Sequence, residues 1–200
     1  FLCSYFVDVI AYANDHLFSN PCTIIAADNL KTGKPVNLAH LQNKAYLNFL
    51  NHDIINPFKY EGDINFIIHG ASIASPTFYR MYPMETFDVN VIGTRNMLNL
   101  AHEKNVESFV FISTSEVYGD PPPQFIPTSE EYNGNVSCVG PRACYDESKR
   151  FGETLCSAYW NKHKLPIKIT RPFNAYGPRL HLDDKRVIPD FLNDALSNKD

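Results

Sequence analysis

Ser108-Phe-Val-Phe-Ile-Ser-Thr-Ser-Glu-Val-Tyr-Gly119 is the stretch on which the fold of this chain turns. Its first five residues form a short, nearly continuous apolar run, the pattern of a strand buried on both faces of a parallel sheet. The run stops at Ser113, where a block of hydroxyls and one carboxylate begins. Similar runs recur on either side: residues 23–27 closed by Asp28, a stretch within 45–52 ahead of Asp53, residues 65–69, and Ile167–Thr170. Helical spacing fills the gaps. Residues 4–14 read as one helix, and residues 83–105 as a long one with Val89, Ile92, Met97, Leu98 and Ala101 facing inward. Residues 145–163 read as a third, with Phe151, Leu155, Ala158 and Tyr159 as its apolar positions. Strands alternating with helices predict an α/β fold with a doubly wound parallel sheet. The proline-rich residues 120–127 predict a surface loop. Ligands of such sheets lie at the carboxyl ends of the strands, which is where the polar blocks of this chain fall.

Bulk composition narrows the function classes. Two hundred residues suit one domain, and 44% hydrophobic with 20% charged residues is ordinary for a soluble globular protein. A net charge of −4 offers no general attraction to nucleic acid or an anionic membrane. Cys3, Cys22, Cys138, Cys144 and Cys156 are scattered and contain no C-x-x-C pair. They predict free thiols in a reducing, cytoplasmic setting and no zinc site. No run of about eighteen apolar residues predicts a membrane span. Residues 1–13 are apolar but carry Asp8 and lack a basic leader, so they read as a helix within a fold. The chain does not begin with Met, and targeting signals could lie ahead of Phe1.

Three groups of residues carry chemistry. Tyr145 and Lys149 stand four apart on a predicted helix, on one face. A phenol titrates near pH 10, and a neighbouring ammonium favours the phenolate, so such a pair can act as a base. The spacing alone is not distinctive in a chain with 11 tyrosines. The hydroxyl block at Ser113, Thr114 and Ser115 suits holding a substrate hydroxyl; a helix cap or a turn is the alternative reading. Asp28, at the end of the first visible strand, suits accepting from both hydroxyls of an adenosine ribose and repelling a 2′-phosphate, which selects NAD over NADP. A turn aspartate beside Asn29 is the alternative.

Residues 113–119, Gly140-Pro-Arg-Ala-Cys-Tyr-Asp-Glu147 and Arg171-Pro-Phe-Asn-Ala-Tyr-Gly-Pro-Arg179 resemble three consecutive signatures of the extended short-chain dehydrogenase/reductase family acting on nucleotide sugars, the NAD-dependent epimerases and dehydratases. His69-Gly-Ala-Ser72 and Asn90-Val-Ile-Gly-Thr94 add two more in family order. Ala74-Ser75-Pro76, Thr114-Ser115-Glu116 and the Gly140 stretch look most like the branch that converts UDP-glucuronate to UDP-xylose. Dehydratases usually carry Asp where Ser115 stands, and 4-epimerases a small or neutral residue where Glu116 stands. The resemblance implies a Rossmann-type fold and NAD, with no metal. It implies catalytic roles for Thr114, Ser115, Glu116, Tyr145 and Lys149, with Tyr145 taking the O4 proton. Cofactor contacts are implied for Asp28, Asn29, Asp53, Ile54, Ala71, Ser72, Asn90, Ser113, Tyr145, Lys149 and Pro172. A loop role remains an equal reading of Asp53, and Asn90 reads more as orienting the site than as touching substrate. Ser75, Arg80, Asn174, Arg179 and Arg186 are implied for the nucleotide sugar, with solvated surface roles equally open for the arginines.

Against that family the first strand and its Gly-rich turn are expected to be missing. Phe1-Leu2-Cys3-Ser4 resembles the tail of the turn, with Cys3 where the family usually has Gly. The expected organisation is an incomplete dinucleotide domain at 1–175 and the beginning of a nucleotide-sugar region at 176–200, inactive alone and homodimeric when complete through the 83–105 and 145–163 helices. A 4,6-dehydratase, a 4-epimerase and a non-catalytic NAD-binding derivative are the alternatives.

Overall fold

The computed structural model describes residues 1–181 and 185–197. The chain opens with α1 (Leu2–His16), then β1 (Ile24–Asp28), a 3-10 segment at Pro35–Leu41 and β2 (Leu47–Asn51). β3 (Phe66–His69) leads to α2 (Pro76–Met81), α3 (Pro83–Asp88), a π turn at Val89–Gly93 and α4 (Thr94–Glu103). β4 (Ser108–Ile112), α5 (Ala143–His163), β5 (Ile167–Thr170) and α6 (Val187–Leu196) complete it. All pairings are parallel and fall into two sheets, β1-β2 and β3-β4-β5. Among the described residues neither β1 nor β3 has a strand on its second edge, the arrangement expected of a doubly wound sheet without its central strand.

One core joins β3, β4, α4 and α5. Ile67, Phe109 and Phe111 on one face of the sheet pack against Leu98, Leu100, Ala101 and Cys156. A smaller cluster sets Ala11 of α1 against Ile24 and Leu41.

The expectation of strands buried on both faces holds for β4, is partly met by β1, and fails for β2, β3 and β5. Phe66 and Ile68 of β3 are 65% and 38% exposed, and Ile169 of β5 is 40% exposed. The helices α4 and α5 cover one face of this sheet, and the alternate side chains look the other way. The expected single helix at 83–105 is three pieces, with the π turn placing Asn90 in the interior. Of its expected inner face, Val89, Leu98 and Ala101 are buried, Met97 is partly so, and Ile92 is exposed. α2 was not expected.

α5 begins two residues earlier than its pattern suggested, and its buried stripe differs from the expected one. Tyr145, Ser148, Lys149, Gly152 and Cys156 face inward, whereas Phe151 is 47% exposed and Ala158 is exposed. The cause is close approach to the sheet: a Cβ on Gly152 would stand 2.6 Å from Cζ of Phe111, so the inner face is built from small and functional side chains.

His69, at the end of β3, is 4% exposed and its Nε2 lies 2.9 Å from the Thr94 hydroxyl. Burial first, then Lys149, lowers its pKa from 6.5 to about 3. Between those two values the unfolded chain binds a proton that the folded chain refuses. His69 therefore contributes stability above pH 6.5 that is lost as the pH falls toward 3, by about 1.4 kcal/mol per pH unit. Denaturant titrations of the protein at pH 7 and pH 5 should show this loss, and His69→Gln should flatten it.

Candidate active site

The site lies at the carboxyl ends of the strands, in two groups. The first sits after β1 and β2. Asp28 is exposed, and its Oδ1 accepts from the backbone N–H of Leu30 at 2.7 Å. Asn29 donates to Asp53 Oδ2 at 2.8 Å, so Asp28, Asn29 and Asp53 form one polar rim. Ile54 is buried behind it, and its carbonyl accepts from Asn96 Nδ2 at 2.9 Å.

The second group gathers around α5. Tyr145 is 6% exposed and stacks on Tyr79 of α2, with ring centroids 5.1 Å apart and planes 9° apart. Burial raises its phenol pKa, and a hydrogen bond with Thr114 and, more weakly, the charge of Arg186 pull it back. The expected help from Lys149 is not what the geometry provides. Lys149 is 3% exposed and its Nζ donates to the carbonyl of Ile112 at 2.8 Å. The four-residue spacing puts both side chains on one face, but the flexible lysine stem turns down to the end of β4. Burial lowers its pKa to about 8.

Half-buried Ser72 and the buried Asn90 and Ser148 form a hydrogen-bonded chain. Asn90 accepts from Ser72 Oγ at 2.7 Å and donates to Ser148 Oγ at 2.8 Å, and Ser148 donates to the Cys144 carbonyl at 2.5 Å. Asn90 is 1% exposed with both amide ends engaged, so it orients the first turn of α5. Ser113 is likewise committed: its hydroxyl donates to Glu153 Oε1 at 2.6 Å. Glu153 also takes a two-pronged bond from Arg171, at 2.9 and 2.7 Å, which locks the end of β4 to α5 and to the residue after β5. The bonds to Glu153, and more weakly the one to Tyr118, raise the Arg171 pKa further above its ordinary value, and burial only partly opposes them. Sequence reading assigned no role to Tyr79, Ser148, Glu153 or Arg171. The helical spacing of Glu153 from Lys149 was the one local signal available.

The remaining expected residues are more dispersed. Ala71, Ser72, Ser115, Glu116 and Pro172 are half-buried near the strand ends, and the Ser115 N–H donates to the Pro172 carbonyl at 3.0 Å. Ser75 is buried at the start of α2, whereas Arg80 and Asn174 are exposed. Arg179 lies on α1: it pairs with Asp8 at 2.5 Å, and the Tyr5 hydroxyl donates to the Pro178 carbonyl, also at 2.5 Å. Arg186 stands close enough to Tyr145 to act on its charge. Cys3, in the first turn of α1, reaches the end of β3, where a Cβ on Gly70 would stand 2.6 Å from its Sγ. A glycine at 70 is what lets the thiol in.

These residues fit a nicotinamide dinucleotide. Asp28 and its neighbours offer acceptors to a ribose diol. The buried Lys149 ammonium has three donors and one protein acceptor, Ile112, which leaves donor capacity for ribose hydroxyls. The described residues contain no group of three or more His, Cys, Asp or Glu able to hold a metal ion, and no helix long and apolar enough to cross a membrane.

A parallel α/β sheet carrying a buried Tyr–Lys pair beside a Ser/Thr block defines a dinucleotide-dependent dehydrogenase-type fold. The model of the NAD-dependent epimerase/dehydratase family matches residues 11–200, and the chain belongs to that family. UDP-glucuronic acid decarboxylase 1 of Xenopus tropicalis is 41% identical over 189 residues, 94% of this chain and 44% of that protein. UDP-glucuronic acid decarboxylase 5 of Arabidopsis thaliana is 45% identical over 174 residues, 86% of this chain and 49% of that protein. The chain thus spans less than half the length of these relatives. Among solved structures, DesIV, a dTDP-glucose 4,6-dehydratase from Streptomyces venezuelae with NAD and TYD bound, matches with a TM-score of 0.78 and 27% identity, over 98% of this chain and 59% of that one. A UDP-N-acetylglucosamine 4-epimerase from Methanobrevibacter ruminantium shares the fold, with a TM-score of 0.81 and 22% identity over 100% of this chain and 60% of that one.

Proposed function

We propose that the protein carrying this chain decarboxylates UDP-glucuronate to UDP-xylose through a 4-keto intermediate. The observation that carries this reading is the Thr114-Ser115-Glu116 block set against Tyr145, in a chain 41–45% identical to UDP-glucuronic acid decarboxylases. When bound, NAD would supply a reversible hydride acceptor for C4 of the sugar. Tyr145 accepts the O4 proton, with Thr114 holding O4, and Lys149 grips the nicotinamide ribose. Once C4 is a ketone the sugar is a β-keto acid. The C5–C6 bond breaks, its electron pair enters the enolate and carbon dioxide leaves. Glu116 and Ser115 set the ring and the protonation of C5. Asp28, Asn29, Asp53 and Ile54 form the adenosine side, with Ala71, Ser72, Ser113 and Pro172 lining the cofactor's path. Asn90 supports them from behind.

Ser75, Arg80, Asn174, Arg179 and Arg186 are proposed for the nucleotide sugar. Of the last two, Arg186 is the one whose charge acts on Tyr145, whereas Arg179 pairs with Asp8 on α1. Residues 1–175 serve as the dinucleotide domain and 176–200 begin the sugar-binding region, of which 182–184 and 198–200 lie outside the described residues. A homodimer through the outer faces of α3, α4 and α5 accounts for exposed Met84, Phe87, Ile92 and Phe151. Five free thiols, two of them exposed, suit the cytoplasm. The test uses the full-length protein and UDP-glucuronate labelled at C6: the label should leave as carbon dioxide, and label retained in the sugar would defeat the reading.

A further inference from the structure

We infer that Arg142 is a positioning residue for this reaction: it joins Glu116 to the first turn of α5 and so holds that carboxylate over the sugar. The inference rests on the decarboxylase reading above.

Arg142 immediately precedes α5, three residues before Tyr145. Its Nη2 pairs with Glu116 Oε2, and its Nε lies 3.5 Å from Asp146 Oδ2. It is also within hydrogen-bonding reach of the Tyr79 phenol, the ring stacked on Tyr145. One guanidinium therefore ties together the segment after β4, helix α2 and helix α5. The Asp146 side chain is 11% exposed, and its Oδ1 has no hydrogen-bond partner among the described residues, so Arg142 is its one cationic partner there. Burial raises the Asp146 pKa, and the charge and hydrogen bond of Arg142 oppose that rise. On the other side, the Glu116 backbone N–H donates to Thr114 Oγ1 at 3.3 Å. Glu116 is thus fixed at its backbone by the residue assigned to O4 and at its carboxylate by Arg142.

This geometry divides the reaction. Oxidation at C4 draws on Tyr145, Thr114 and Lys149, to which the Arg142 guanidinium makes no bond; only its backbone carbonyl accepts from the Tyr145 N–H, at 2.9 Å, and that bond is independent of the side chain. Breaking C5–C6 and adding the proton at C5 draw on the carboxylate that Arg142 holds. A planar, always-charged fork supports such an arrangement in a way a lysine does only partly.

The test is a single turnover of the full-length protein with UDP-glucuronate and stoichiometric NAD, following nicotinamide absorbance and carbon dioxide separately. Arg142→Met is compared with Arg142→Met/Asp146→Asn, which removes the carboxylate left unpaired, and with Arg142→Lys. NADH should form at close to the wild-type rate in all three. Carbon dioxide release should fall by about a hundredfold in both Met variants, the scale of losing a positioned group, with partial recovery in Arg142→Lys. Carbon dioxide release at the wild-type rate would overturn the inference. So would a parallel fall of both steps with NAD affinity, which is what a merely structural arginine gives. If the wild-type protein itself releases no carbon dioxide, the decarboxylase reading has failed, and the inference falls with it.

Discussion

Tyr145→Phe should abolish turnover while leaving the fold and NAD binding in place. The hydroxyl it removes is the one beside Thr114, in a helix position where the ring is 6% exposed and stacked on Tyr79. The ring and its stacking survive the change, so stability should move little. The proton acceptor does not survive, and loss of a positioned general base costs roughly 100- to 10,000-fold in rate. The measurement is single-turnover NADH formation with UDP-glucuronate. An active variant would remove Tyr145 from the role of base. Lys149 does not supply a substitute, because an ammonium donates, as it does to the Ile112 carbonyl, and has no lone pair with which to accept the O4 proton.

Glu153→Ala should be the most damaging change outside the reacting groups. One carboxylate accepts from Ser113 and from both prongs of Arg171, with side-chain exposures of 15% for Glu153 and 26% for Arg171. Truncating it leaves a half-buried guanidinium and a buried hydroxyl without their partner. Breaking such a pair from one side costs roughly 3 kcal/mol. Denaturant unfolding of the full-length protein should show that loss, with Glu153→Gln intermediate because the amide oxygen still accepts from Ser113. Catalysis should fall too, since the Ser113 anchor sets the position of Thr114. A change under about 0.5 kcal/mol would mean the pair contributes no more than an exposed ion pair.

What the sequence revealed and what it hid follow from range. The strands were legible because each is a contiguous apolar run closed by a polar residue, and β4 and β5 have the expected bounds. Asp28 was legible as a carboxylate closing a strand, while Asp53 read equally as a loop residue, and the structure brings both to one rim through Asn29. α2 was hidden because six residues are too short to show a period, although Pro76 after Ser75 is a start signal. The π turn was hidden because apolar residues continue through it, leaving a pattern that reads as one helix. The inner face of α5 misled because apolar residues mark a buried stripe only where there is room for them; against Phe111 the stripe is Ser148, Lys149 and Gly152. The links that assemble the site are long-range: Asn90 to Ser148 spans 58 positions and Ser113 to Glu153 spans 40, and no local pattern announces such pairs.

The most direct test of the central claim is proton NMR of the full-length protein acting on UDP-glucuronate with a catalytic amount of NAD. The account predicts that UDP-xylose accumulates with no net NADH, since the hydride taken from C4 is returned to it. UDP-glucuronate left untouched, while UDP-glucose or dTDP-glucose becomes a 4-keto-6-deoxy sugar, would contradict it and make the Ser115–Glu116 pair part of a dehydratase.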